Sequence, residues 1–170
     1  MREILFKAKR KDNEQWVEGF YYVHEPPLQC FPDENNEKPR HTIAITAFAD
    51  WNMPRGVQFL EVIPETVSEY TGLTAKNKTK AFEGDIILHI DEHQNQIRGV
   101  IKFGIIPLEF DKRLKNVGFY VELINDGANR WNSWLRCDIG FWINDQHAEI
   151  IGNIHDNPEL LKGDADGEGV

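Results

Sequence analysis

Three side chains in the stretch "HIDEH" have the residue types of a metal site. On a strand, His89, Asp91 and His93 point to one face and Ile90 to the other. Two imidazoles and a carboxylate then stand about 7 Å apart stepwise and could supply three ligands to a divalent metal. An i, i+2, i+4 spacing is not diagnostic, because the same face runs into the polar turn "EHQNQ", where solvated His and Asp are ordinary. Metal sites also draw at least one ligand from elsewhere in a fold, so the discriminating feature is whether His24, His41, His147 or His155 approaches the three.

Just upstream, Glu83 and Asp85 flank Gly84, and with Asp91 they could act as paired carboxylates for acid–base work. The structural reading is favoured: Asp85 at a strand entrance accepts backbone N–H groups of the preceding turn, and Gly84 supplies a positive φ or bulge that aims the strand. Phe82 then anchors the corner, and Ile86, Leu88 and Ile90 feed the core. No Gly-rich phosphate loop, nucleophile elbow or Cys-x-x-Cys pair accompanies these residues. The chain therefore reads as non-enzymatic, with no catalytic residue and no cofactor assigned.

The elements that must position these groups are short strands. Ile4, Phe6 and Ala8 alternate inward against Glu3, Lys7 and Lys9. "KDNE" turns the chain, and "QWVEGFYYV", apolar on both faces, completes a hairpin over about residues 2–23 whose second strand is expected to be the more buried. Residues 26–40 carry four prolines and form a surface excursion. "HTIAITAFADW", "GVQFLEVI", "GDIILHID", "IRGVIKFG", "GFYVELI", "CDIGFWI" and "AEIIGNI" follow as strands. Such spacing predicts a mainly β, antiparallel barrel or sandwich. Short helical turns are expected in "PETVSEYTG", in "NRWNSWL" and in "NPELLKG", where Asn157 is the N-cap and Pro158 opens the turn.

A chain of 170 residues that is 41% hydrophobic, with ten Phe, five Trp and four Tyr, can bury one core without disulfide or metal staples. Residues 1–161 are expected to form a single domain, and the acidic 162–170 a flexible tail. Cys30 and Cys137 lie in no catalytic motif, and the chain shows neither a signal-peptide pattern nor an apolar run near 18 residues. The protein is expected in the cytoplasm, away from membranes. Acidic residues exceed basic ones by 28 to 19, which disfavours nucleic acid unless positive charge is concentrated locally. One such concentration is Arg2, Lys7, Lys9, Arg10 and Lys11, the basis of an alternative, nucleic-acid-binding reading. Trp51, Trp131, Trp134 and Trp142 can all be core, although "NRWNSW" places two of them in a polar setting that also suits an interface.

Four blocks, "MREILFKAKRKDNEQWVEG", "TVSEYTGLTAKNKTKAFEGDII", "GVIKFG" and "EIIGNIHDNPELL", together resemble the YopX family of phage and prophage proteins. They come in the family's order and reach from near residue 1 to 161, whereas residues 24–60 and about 105–145 match no motif. Ala75 stands where the family typically has an acidic residue and Lys78 where it has glycine, so the turn after Asn77 is a different type or looser. The resemblance implies a mostly β, barrel-like domain of phage or prophage origin in a bacterial cytoplasm. Family members are candidates for self-association, and the missing catalytic set together with the excess of aromatic residues points to an accessory protein that binds itself, as a homo-oligomer, or an unidentified host or phage protein. Thr71, Gly72, Leu73, Phe82, Glu83, Gly84, Asp85, Ile86, Gly152, Asn153, Asn157 and Pro158 carry over as family-motif positions of structural character, without roles in chemistry.

Overall fold

The computed structural model describes residues 3–26, 38–46, 56–90, 94, 96–105, 116–124, 139–144 and 147–162. These contain ten strands in two antiparallel sheets. Among the described residues helix is confined to short turns, neither sheet closes on itself, and no helix is long and apolar enough to cross a membrane. The chain divides into two compact units, Met1–Glu69 and Tyr70–Val170.

In the first unit, β1 (Phe6–Lys9), β2 (Trp16–His24), β3 (Arg40–Thr46) and β4 (Val57–Glu61) pair in that order. The start of β5 (Ser68–Thr74) pairs with the free side of β1 through Lys7 and Ser68. The β1–β2 turn is tightened by Asn13, whose Oδ1 accepts the Gln15 amide at 3.1 Å. Period-two alternation sorts the side chains. Ala8, Ile43 and Val62 are buried, with Phe6, Val17, Tyr21, Ile45 and Val67 packed against them.

In the second unit, β5 pairs with β6 (Lys80–Phe82). A four-stranded sheet follows, in the order β10 (Glu149–Asn153), β7 (Asp85–Ile90), β8 (Gln96–Ile105), β9 (Val117–Leu123). Its core is Ile87, Ile97, Ile101 and Val121 under Trp142 and Ile143, all nearly inaccessible. Burial of each such side chain contributes about 1.5–3 kcal/mol.

Several local expectations are corrected. "PETVSEYTG" gives only a 3-10 turn, Pro64–Thr66, before entering β5. Its β-branched residues and Tyr70 suit a strand, and Gly72 at φ 87° cannot continue a helix. "GFWIN", which overlaps the end of the expected "CDIGFWI" strand, is a π-helical turn, Gly140–Asn144. Ile139, Trp142 and Ile143 fall at i, i+3, i+4, the helical spacing, and pack into one core. Ile4 and Ile90 are exposed, at 57% and 50%, because one lies before the first ladder and the other at the far end of β7. In place of Ile90, Ile87 enters the core, so β7 is apolar inward on both faces over its first half. The last turn, Pro158–Leu161, is 3-10, and the Asn157 side chain makes no cap hydrogen bond to it. Residues 163–170, "NRWNSWL", Trp51, Cys30 and Cys137 lie outside the described residues.

Candidate functional site

His89 projects from β7 beside the π-helical turn. Its Nδ1 lies 2.6 Å from the carbonyl oxygen of His147. A carbonyl can only accept, so Nδ1 carries the proton and donates. The His89 ring meets Trp142 edge-on, with centroids 5.5 Å apart. His147 in turn stacks on Phe141 at 4.4 Å. Of the four further histidines considered as companions, His147 is the one brought against His89, their ring centroids 6.1 Å apart. Asp91 and His93 lie outside the described residues, and among the described residues no three His, Cys, Asp or Glu side chains gather as a metal group.

The family-motif positions hold backbone together. Asp85, 1% exposed, accepts the Phe82 amide on Oδ2 at 2.8 Å. Gly84, at φ 79°, donates its N–H to Ile101 O at 2.8 Å and accepts from Ile154 at 2.9 Å. Glu83 accepts the Phe103 amide at 3.3 Å. Thr71 donates to Ala81 O at 2.9 Å and accepts the Leu73 amide at 3.2 Å. Leu73 packs against the core, and Phe82 and Ile86 are buried. Asn153 Oδ1 accepts the amides of His155 and Asp156, both at 2.9 Å. Asn157 reaches back to the Asn153 amide at 3.4 Å, filling the space a Cβ on Gly152 would need, and Pro158 opens the final turn.

One exposed face of the first unit carries side chains of the strand expected to be the more buried. The expectation that β2 is the more buried hairpin strand is corrected: Phe20 is 65% and Tyr22 54% exposed. The register fixes why. Trp16, Glu18, Phe20, Tyr22 and His24 occupy the face opposite the Ala8–Ile43–Val62 core, and their partners Lys9, Lys7, Ala44, Thr42 and Arg40 share it. From β4, Phe59 lies opposite Ala44 and Val57 opposite Thr46; they are 50% and 66% exposed. Tyr22 meets His24 at 4.6 Å, and His24 meets Phe59 at 5.3 Å. A contiguous aromatic patch of this kind marks a contact surface, whereas isolated exposed rings need no explanation. The apolar residues on both faces of "QWVEGFYYV" are the signal that could have found it, since a sheet with one core face must present the other set to solvent or a partner.

Cations flank the rings. The ammonium groups of Lys7 and Lys9 lie 5.1 and 5.7 Å from the Trp16 ring centre, within cation–π range. At the other end, a cleft of about 530 Å³ is lined by Lys11, His24, Lys38 and Arg40 together with Glu25 and Glu61. Lys11 Nζ donates to Glu61 at 2.6 Å. That hydrogen bond, with the charges of Lys11 and Arg40 behind it, holds the Glu61 carboxyl below the usual carboxylate range. On the opposite, core-facing side, Tyr21 hydrogen-bonds His41 Nδ1, and burial pushes its phenol upward.

Fold and surface together define a mainly β protein whose first sheet presents an aromatic face edged with positive charge. The chain belongs to the YopX family: the family model, described as YopX protein, matches residues 5–162. Among solved structures it is similar to protein EF1440 from Enterococcus faecalis, at 18% identity and a TM-score of 0.50, over 95% of this chain and 100% of that one. At that identity the likeness speaks for the fold. A comparison with functionally curated proteins finds no significant match.

Proposed function

We propose that this protein is a phage- or prophage-encoded accessory protein of the bacterial cytoplasm, which acts by binding a macromolecule or by self-assembly through the outer face of β2, β3 and β4, without catalysing a reaction. The observation that carries the reading is the joint exposure of Phe20, Tyr22 and Phe59 on one sheet face. Exposed aromatics cost solubility, and apolar patches of this sort on soluble proteins serve contact. The phage setting comes from the family resemblance. Site-specific photo-crosslinking tests the surface: a benzophenone side chain at Tyr22 should capture a partner or a second copy in host lysate, and one at exposed Glu159 should not. Equal yields at the two positions would overturn the reading.

A metal-binding alternative rests on His89, Asp91 and His93. It is favoured by one observation, the His89 Nδ1–H donated to a backbone carbonyl, which is how metal-ligating histidines are commonly oriented. Elemental analysis of protein purified without chelator, with thermal unfolding in added zinc or manganese, decides it. Absence of both bound metal and a shift in Tm ends the alternative.

A further inference from the structure

We infer that the outer face of β2, β3 and β4 binds single-stranded nucleic acid, stacking bases on Phe20, Tyr22 and Phe59 and holding phosphates with the cations at its two ends. The inference rests on the proposed reading of this face as the contact surface and names its occupant. Three observations favour that occupant over a protein.

The first is charge. Across the whole chain basic residues are outnumbered 19 to 28, which argues against indiscriminate phosphate binding. On this face and in its cleft the balance reverses: Lys7, Lys9, Lys11, Lys38 and Arg40 stand against Glu18, Glu25 and Glu61. Lys11 and Glu61 are hydrogen-bonded to each other and offset one another, and the remaining balance is still four cations against two carboxylates. A positively edged groove that tracks a backbone is the electrostatic half of single-strand recognition.

The second is the arrangement of rings. Phe20 and Tyr22 are two residues apart on β2, hence about 7 Å along the strand. Phe59 stands two strands away, about 9.6 Å across, with only the small Ala44 between it and Phe20 in the register. The Phe59 ring packs on His24 at 5.3 Å and on Tyr22 at 6.2 Å, so a base stacks on the outer side of this ring cluster, at a contact distance of roughly 3.5 Å. Stacking tolerates every base, because each has a π-face. A duplex hides those faces, so the platform selects unpaired strands.

The third is composition. Lysine is depleted in protein–protein interfaces. Here lysines sit over Trp16 at one end of the face and line the cleft at the other. Base-stacking rings interleaved with cations are the pattern of a nucleic-acid platform.

Fluorescence anisotropy with labelled 15-mers tests this, using oligothymidine, oligouridine and a mixed-sequence duplex at low salt. The expected result is binding of at least one single strand, weakening as salt rises, and at least about tenfold weaker binding of the duplex. A preference between the two single strands reads out the combined effect of the sugar 2′-hydroxyl and the thymine methyl group. Phe20→Ala, Tyr22→Ala and Phe59→Ala should each weaken binding by about tenfold with Tm little changed, since these rings are exposed. The double variant K38E/R40E should flatten the salt dependence. No binding of either single strand, or duplex binding as tight and indifferent to the aromatic substitutions, overturns the inference. So does a dimer by light scattering that Tyr22→Ser dissociates while oligonucleotides fail to bind. If oligonucleotides fail but Tyr22 still crosslinks selectively to a protein, this inference falls and the proposed contact surface stands.

Discussion

The amide of Phe82 donates to Oδ2 of Asp85 at 2.8 Å, inside a corner where Asp85 is 1% exposed. A buried carboxylate that satisfies buried backbone is costly to remove, because the amide it served is then left desolvated and unmet. Asp85→Ala is expected to destabilise the protein by about 1–3 kcal/mol, read as a lower urea midpoint with an unchanged slope. Asp85→Asn retains an acceptor oxygen and should lose less. Equal midpoints for wild type and Asp85→Ala would show the corner is held by other contacts.

Lys78 follows Asn77 with φ 62°, the left-handed conformation that glycine adopts without strain. Its amide donates to Ala75 O at 2.8 Å, and Ala75 N–H donates to Thr79 O at 2.9 Å, so the turn is closed despite the Cβ. A non-glycine residue in this region costs about 1–2 kcal/mol, part of which glycine returns as greater freedom in the unfolded chain. Lys78→Gly should therefore stabilise by about 0.5–1 kcal/mol, a rise in Tm of a few degrees by calorimetry.

Gly99 and Gly56 make a contrasting pair. A Cβ on Gly99 would lie 2.5 Å from Val121 Cγ1 and 3.1 Å from Glu122 O, whereas a Cβ on Gly56 meets nothing within 4 Å. Gly99→Ala forces β8 and β9 apart and should cost about 1–3 kcal/mol. Gly56→Ala should fall within about 0.5 kcal/mol of wild type. Denaturant titration of the two variants side by side checks the contrast.

Tyr21 couples stability to alkaline pH. Burial disfavours its phenolate, so its pKa in the folded protein lies above the ordinary 10.0. The unfolded chain then loses its proton first. The stability that this group contributes is complete below pH 10, and it is lost as pH rises from there through the folded value. Tyr21→Phe should flatten the alkaline decline, measured as Tm between pH 8 and 11, while also losing the bond to His41.

Much of the strand content was legible because its causes are local. Alternation in "IRGVIKFG" and "GFYVELI", with turn residues between runs, leads directly to β8 and β9. The aromatic, β-branched "QWVEGFYYV" leads to β2 in the same way. The π-helical turn at Gly140–Asn144 was less visible: a short apolar run carries both periods at once, and only the packing of its Trp142 and Ile143 onto the sheet core selects one.

What sequence alone determined is therefore the class of fold, the family, and the residues of most strands, β5 and β6 excepted, all of which follow from periodicity and from motif order along the chain. What the tertiary structure decided is which face of each strand is core. Register sets this, and it is fixed by pairing between segments far apart in sequence, such as Tyr21 with Ile43 and Ile43 with Leu60. A shift of one residue would exchange Tyr21 with Tyr22 and Val23 with His24 between core and surface. The chain's apolar content permits either arrangement. The pairing chose the one that sets Phe20, Tyr22 and Phe59 outward, and it brought His147 to His89 across 58 residues.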